Sequence, residues 1–280
     1  MHMQLEDEFG DIIGKARRGQ ELSLGDLANK TDHSEEELTR IEAYELTPDD
    51  AAIRRLAAEL GLNADKLQAS ASRGFFPLYP GGRPIDGLIL EMMVLGSDFL
   101  MNGYVVGCAG TNRGVVVDPG FDAEKILRTV ESTGLEIERI LLTHGHHDHV
   151  GALSEICQAT GAPALINEGD FPLLGGLRTK IEGVIGDGDV IAVGNAKFTA
   201  RTTPGHTTGG MSLIHEQLVF VGDALFAGSL GGTRNRADYD RQLAAVEEHL
   251  LSLDPTVILY PGHGPATTVG EERANNPFYS

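Results

Sequence analysis

The chain has 280 residues, 41% of them hydrophobic and 22% charged, with 36 glycines, no tryptophan and a formal charge of −19 at pH 7. That length suits two unequal domains, and the acidity opposes nonspecific binding to nucleic acid, membrane surfaces or other polyanions. No apolar run approaches the roughly 18 residues that span a bilayer, Glu6, Asp7 and Glu8 replace the basic start of a secretory signal, and Cys108 and Cys157 form no CxxC pair, so a cytoplasmic chain with buried free thiols is expected.

From the N-terminus, apolar residues recur at helical spacing over 9–16, 22–28, 38–43 and 53–60, punctuated by Ser23, Ser34 and Pro48. The run SLGDLANKT, then SEEELTRIEAYELTP, then IRRLAAELGLNADKL resembles the small helix-turn-helix domains of phage-repressor type. The resemblance implies an all-α N-terminal domain over residues 1–72, with the helix near Ser34 entering the major groove of DNA. That helix opens with Glu35, Glu36 and Glu37, and residues 1–70 hold sixteen Asp and Glu against eight Lys and Arg. Both features oppose DNA binding. A helical module that mediates a homodimer, covers the substrate pocket or docks a partner is the reading they favour.

Residues 73–85, rich in Gly, Pro and aromatics without period, read as a linker. Beyond them, over 86–280, short apolar runs at 88–95, 104–106, 115–117, 140–142, 164–166, 218–221 and 257–260 alternate with helix-like segments such as 122–132 and 236–251, the pattern of an α/β domain.

The strongest local signal is Thr143-His144-Gly145-His146-His147-Asp148-His149, delivered by a strand-like run and followed by Val150, Leu153, Ile156 and Cys157 at helical spacing. His206 in a Pro-Gly-His turn, Asp223 after Leu218-Val219-Phe220-Val221-Gly222, and His263 in Pro-Gly-His-Gly also each follow a strand-like run. Side chains at strand ends can converge on one edge of a rigid scaffold. Imidazole and carboxylate donors without thiolates point to a working site for zinc, iron or manganese. His147 sits at the non-ligand position of its motif, while His2, His33, His215 and His249 lack this context and read as surface or core histidines.

These four elements, HxHxDH, a distant His, an Asp and a final His, resemble the metallo-β-lactamase superfamily in order as well as type. The resemblance implies a four-layer αββα sandwich holding two divalent metal ions. By position, His144, His146 and His206 would bind one metal and Asp148, His149 and His263 the other, with Asp223 bridging. Asp118, in Val117-Asp118-Pro119-Gly120, matches a further family element that supports the ligands from behind. Two such ions about 3.5–4 Å apart share a water and lower its pKa toward neutrality, so hydroxide attack on a polarised carbonyl is expected, with Asp148 orienting the nucleophile and Asp223 essential.

Within the superfamily, the segment 260–278 and Gly222-Asp223-Ala224-Leu225-Phe226 look like the short bacterial glyoxalase II group, which hydrolyses S-lactoylglutathione-type thioesters. A departure is Gly232, where that group commonly carries an arginine. Two alternatives share the scaffold: a persulfide dioxygenase with one iron on His144, His206 and Asp223, and a hydrolase of another ester or lactone with a regulatory helix-turn-helix module.

Overall fold

The computed structural model describes residues 4–280, and His2 lies outside them. Five short helices come first: α1 (Phe9–Gly19), α2 (Leu24–Thr31), α3 (Glu35–Glu42), α4 (Asp50–Leu60) and α5 (Ala64–Ala71). Ser23, Ser34, Asp49 and Asn63 cap α2 to α5, each side chain accepting from a backbone N–H of the first turn. Ser34 and Glu37 form a reciprocal capping box. Carboxylates at a helix N-terminus face its positive dipole end, which gives Glu35, Glu36 and Glu37 a local structural reason to be there.

Strands β1 (Leu88–Leu95), β2 (Met101–Cys108), β3 (Arg113–Val117), β4 (Glu136–Leu141), β5 (Ala164–Ile166) and β6 (Ile181–Val184) form one sheet in that order. Its first two pairings are antiparallel and the remaining three parallel. Strands β7 (Val190–Val193), β8 (Ala196–Thr202), β9 (Met211–Ile214), β10 (Leu218–Gly222), β11 (Ile258–Pro261) and β12 (Thr267–Thr268) form a second six-stranded sheet, antiparallel except between β10 and β11.

Alternation along each strand sorts side chains into layers. Tyr104, Val106, Val115, Val117, Phe198, Phe220 and Tyr260 fill the space between the sheets. Their neighbours Val105 and Val116 point outward into a cluster with Ile126 of α6 (Ala123–Thr133) and Leu153 and Ile156 of α8 (Leu153–Thr160). On the far side, Val219, Val221 and Leu259 join Val246 of α9 (Arg236–His249) and also Ile13, Leu27, Leu56 and Leu67 of the N-terminal helices. The helical segment therefore shares one buried core with the second sheet, and the layers run α-β-β-α as the sequence led us to expect.

Among the described residues no helix is long and apolar enough to cross a membrane. Cys108 is a buried free thiol, whereas Cys157 is only half-buried, contrary to expectation. Its place on α8 lies at the margin of the outer cluster, where it packs without being enclosed.

Candidate metal centre

Four strand ends meet at one edge of the sandwich. The chain leaving β4 carries Thr143 and His144, then turns at His146 into the short helix α7 (His147–Val150) with Asp148 and His149. The loop after β8 brings His206, while Asp223 follows β10 and His263 follows β11. The structure thus brings all seven candidate side chains together. Donor atoms within 4.8 Å of one another group as His144, His146 and His206; as His144, His149 and Asp223; and as Asp148, His149 and His263. Asp223 lies between the sets: Oδ2 is 3.3 Å from His206 Nε2 and 3.5 Å from His263 Nε2, and Oδ1 is 3.4 Å from His149 Nε2. Asp148 Oδ2 is 3.2 Å from His263 Nε2 and 3.6 Å from His149 Nε2.

The outward ring nitrogens fix which nitrogen is bare. His206 Nδ1 donates to the Gly232 carbonyl at 2.8 Å, and His263 Nδ1 to the Leu100 carbonyl at 2.8 Å. A carbonyl can only accept, so in a neutral ring the inward Nε2 keeps its lone pair. His149 Nδ1 lies 2.9 Å from Asp118 Oδ2, a carboxylate that also accepts from the Thr143 hydroxyl at 2.6 Å and the Thr143 N–H at 2.7 Å. With its proton committed to Asp118, the Thr143 oxygen accepts from His144 Nδ1 at 3.2 Å. Asp118 therefore sits behind the cluster and orients two of its rings.

Buried acceptors without donors are costly, yet His144 Nε2, His149 Nε2 and Asp223 Oδ1 are buried without a hydrogen-bond partner. Lone pairs from nitrogen and oxygen donors that face one another fit divalent cations of the zinc, iron or manganese kind. The charges of the cluster are strongly coupled. Burial, reinforced by His149, drives the His144 ring well below the ordinary histidine range. For His149 burial also opposes charge, but Asp223 and Asp118 outweigh it and hold that ring well above the range. Burial pushes the Asp223 carboxyl up, and His149, His263 and His144 reverse this to hold it well below its ordinary value.

Close approach explains one glycine. A Cβ at Gly262 would overlap Asp223 Oδ1 and lie 2.6 Å from His149 Cε1. His147 is exposed, and neither it nor His33, His215 or His249 joins a donor group among the described residues.

Three supporting residues carry no local sequence signal. Buried Asp170 accepts from Gly145 N at 2.9 Å, Thr207 Oγ1 at 2.8 Å and Gly209 N at 2.6 Å, tying the loops of His144 and His206 together. Gln242 on α9 donates to the Ala224 and Gly231 carbonyls. Asn102 donates to the carbonyls of Pro261 and Gly264 on either side of His263.

Comparison with known proteins gives consistent likenesses. The family model of the metallo-beta-lactamase superfamily matches residues 98–263. Hydroxyacylglutathione hydrolase GloC of Haemophilus influenzae is 35% identical over 181 residues, which cover 58% of this chain and 85% of that protein. TTHA1623, solved in a di-iron-bound form, is 33% identical with a TM-score of 0.56, covering 66% of this chain and 98% of that one. ETHE1 from Myxococcus xanthus is 25% identical with a TM-score of 0.60, covering 68% and 83%.

Proposed function

Because the chain belongs to the metallo-beta-lactamase superfamily, whose fold implies divalent metal ions, we propose that it is a dinuclear metal-dependent hydrolase of thioesters. In this reading His144, His146 and His206 would hold one ion and Asp148, His149 and His263 the other, with Asp223 within reach of both. The observation that carries it is the set of buried, partnerless atoms His144 Nε2, His149 Nε2 and Asp223 Oδ1 meeting at one point, while Nδ1 of both rings is engaged behind them by Thr143 and Asp118. Asp223 reaches members of both sets within 3.5 Å, which supports the bridging role.

Two ions bound there would supply an acidified water and polarise a carbonyl. The chain's own residues do the rest. Asp118, Gly232 and Leu100 hold the ring tautomers, so no imidazole must turn as charge develops. Asp148 is more exposed than Asp223, its side chain 19% accessible against 6%. It is the carboxylate that can meet a water entering from solvent and take up its proton. No cysteine stands among the grouped donors of the described residues, and a thiolate departs with little protonation, so thioesters suit the site. Similarity to hydroxyacylglutathione hydrolase GloC supports S-lactoylglutathione-type compounds as the substrate class. A single iron on His144, His206 and Asp223 would leave the Asp148, His149 and His263 group without work, which favours the two-ion reading.

We assign residues 1–72 to a helical unit of helix-turn-helix type, joined through 73–85 to the catalytic unit over 86–280. The exposed Glu35, Glu36 and Glu37 at the start of α3 oppose contact with phosphates. Tight, sequence-dependent DNA retardation at low salt would overturn the reading that this unit does not bind DNA. The hydrolase reading is tested by metal analysis together with thiol release from S-lactoylglutathione. Two ions per chain with hydrolysis is the expected result. One iron per chain with oxygen uptake on glutathione persulfide would overturn it.

A further inference from the structure

A cavity of about 390 Å³ lies between the N-terminal segment, the stretch after α5 and the loop following Asp223. Its volume falls within the ~300–1,000 Å³ of small-molecule sites. Leu5, Ile12, Phe75, Phe76 and Ala227 give it apolar walls.

The cavity shares two walls with the metal centre. The Phe226 ring packs on His263 with centroids 5.6 Å apart, and the next residues, Ala227 and Gly228, face the cavity. Glu6 lies against Gly264, beside His263, close enough that a Cβ there would come within 2.9 Å of the Glu6 nitrogen, while flanking Leu5 and Asp7 line the cavity. Its charges are already matched. Arg73 pairs with Glu8 at 3.0 Å, and Asp7 with Lys15 at 2.5 Å, whose ammonium also donates to the Leu230 carbonyl. Among the described residues Arg73 is the one cation of the lining, set beside the carboxylates of Asp7 and Glu8, so the lining opposes a carboxylate-bearing thiol carrier and of the two arms of a thioester fits the neutral, apolar one.

We infer that this cavity binds the apolar acyl arm of the thioester hydrolysed at the neighbouring metal centre, selecting acyl chains longer than lactoyl. The inference rests on the hydrolase reading above. Each methylene buried there is worth about fourfold in affinity, so specificity rises steeply with chain length.

Two measurements test it on the full chain. The neutral fluorophore N-phenyl-1-naphthylamine, added to metal-free protein, is expected to bind saturably, and Ser70→Phe, which fills the cavity from a half-buried position, to weaken it at least tenfold. Phe76→Ser removes a wall from a residue 49% exposed, where folding is not at stake, and is expected to weaken it too. Absent binding, or binding that neither substitution changes, overturns the inference. With metal restored, kcat/KM for octanoyl over acetyl thioesters of N-acetylcysteamine is expected to exceed ten, and to fall tenfold in Ser70→Phe. Hydrolysis of both thioesters without preference sinks the acyl-arm inference alone, whereas no hydrolysis of any thioester sinks the hydrolase reading and leaves the fluorophore to decide the cavity.

Discussion

Asp118→Asn is the substitution that separates orientation from ligation. Asp118 is 1% exposed and accepts three hydrogen bonds, from Thr143 N at 2.7 Å, Thr143 Oγ1 at 2.6 Å and His149 Nδ1 at 2.9 Å. An asparagine oxygen can keep the Thr143 N–H, but its amide group then meets the His149 Nδ1–H donor to donor. Either that bond is lost, or the His149 proton moves to Nε2 and occupies the lone pair facing Asp223 Oδ1 at 3.4 Å. A hydrogen bond to a charged group contributes about 1.5–3 kcal/mol, which is about 10–100-fold in affinity, the range seen when partners behind metal ligands are removed. Competition with a coloured chelator should show one ion, that of Asp148, His149 and His263, weakened by this factor, with the fold retained by circular dichroism. Unchanged affinity for both ions in Asp118→Asn would refute the tautomer argument.

Three further outcomes follow from the same geometry. Gly262→Ala forces a Cβ into Asp223 Oδ1 and close to His149, so activity should fall at least ~100-fold through misplaced ligands, with reduced metal content by elemental analysis. Gly232→Arg introduces a side chain where a Cβ would meet nothing within 4 Å; a cation there should raise kcat/KM for the anionic S-lactoylglutathione by about tenfold through charge-assisted contacts, read from initial rates. Glu272, fully buried, is pushed up to about 7 from 4.5 by burial, against hydrogen bonds from Asn276, Thr267 and Gly228. The folded chain therefore holds a proton that the unfolded chain releases between about pH 4.5 and 7, so this group lowers stability as pH rises through that window. At about 1.4 kcal/mol per factor of ten the loss approaches ~3 kcal/mol. Glu272→Gln should remove that slope, so the stability difference from wild type in denaturant melts changes across the window; parallel curves would contradict it.

The convergence of the seven candidate side chains was legible because each followed an apolar run and a Gly or Pro turn, and the layered α/β architecture was legible from the same runs. What orients those side chains was not. His206 and His263 are fixed by the backbone carbonyls of Gly232 and Leu100, which any residue type could offer. Asp170 and Asn102 reach loops 25 to 162 positions away, a distance at which local pattern carries nothing. Strand β6 is interrupted by Glu182 and Gly183 and β12 is two threonines, so neither presents an apolar run. The N-terminal helices read as a unit of their own, but their apolar faces close against Val219 and Val246, a partner that only the folded sheet supplies.

The most direct measurement is an anomalous difference map from crystals of the metal-loaded protein, recorded at the absorption edge of the bound ion. Two peaks are expected, one against His144, His146 and His206 and one against Asp148, His149 and His263, with Asp223 reaching both. A single peak, or two peaks outside these donors, would contradict the account.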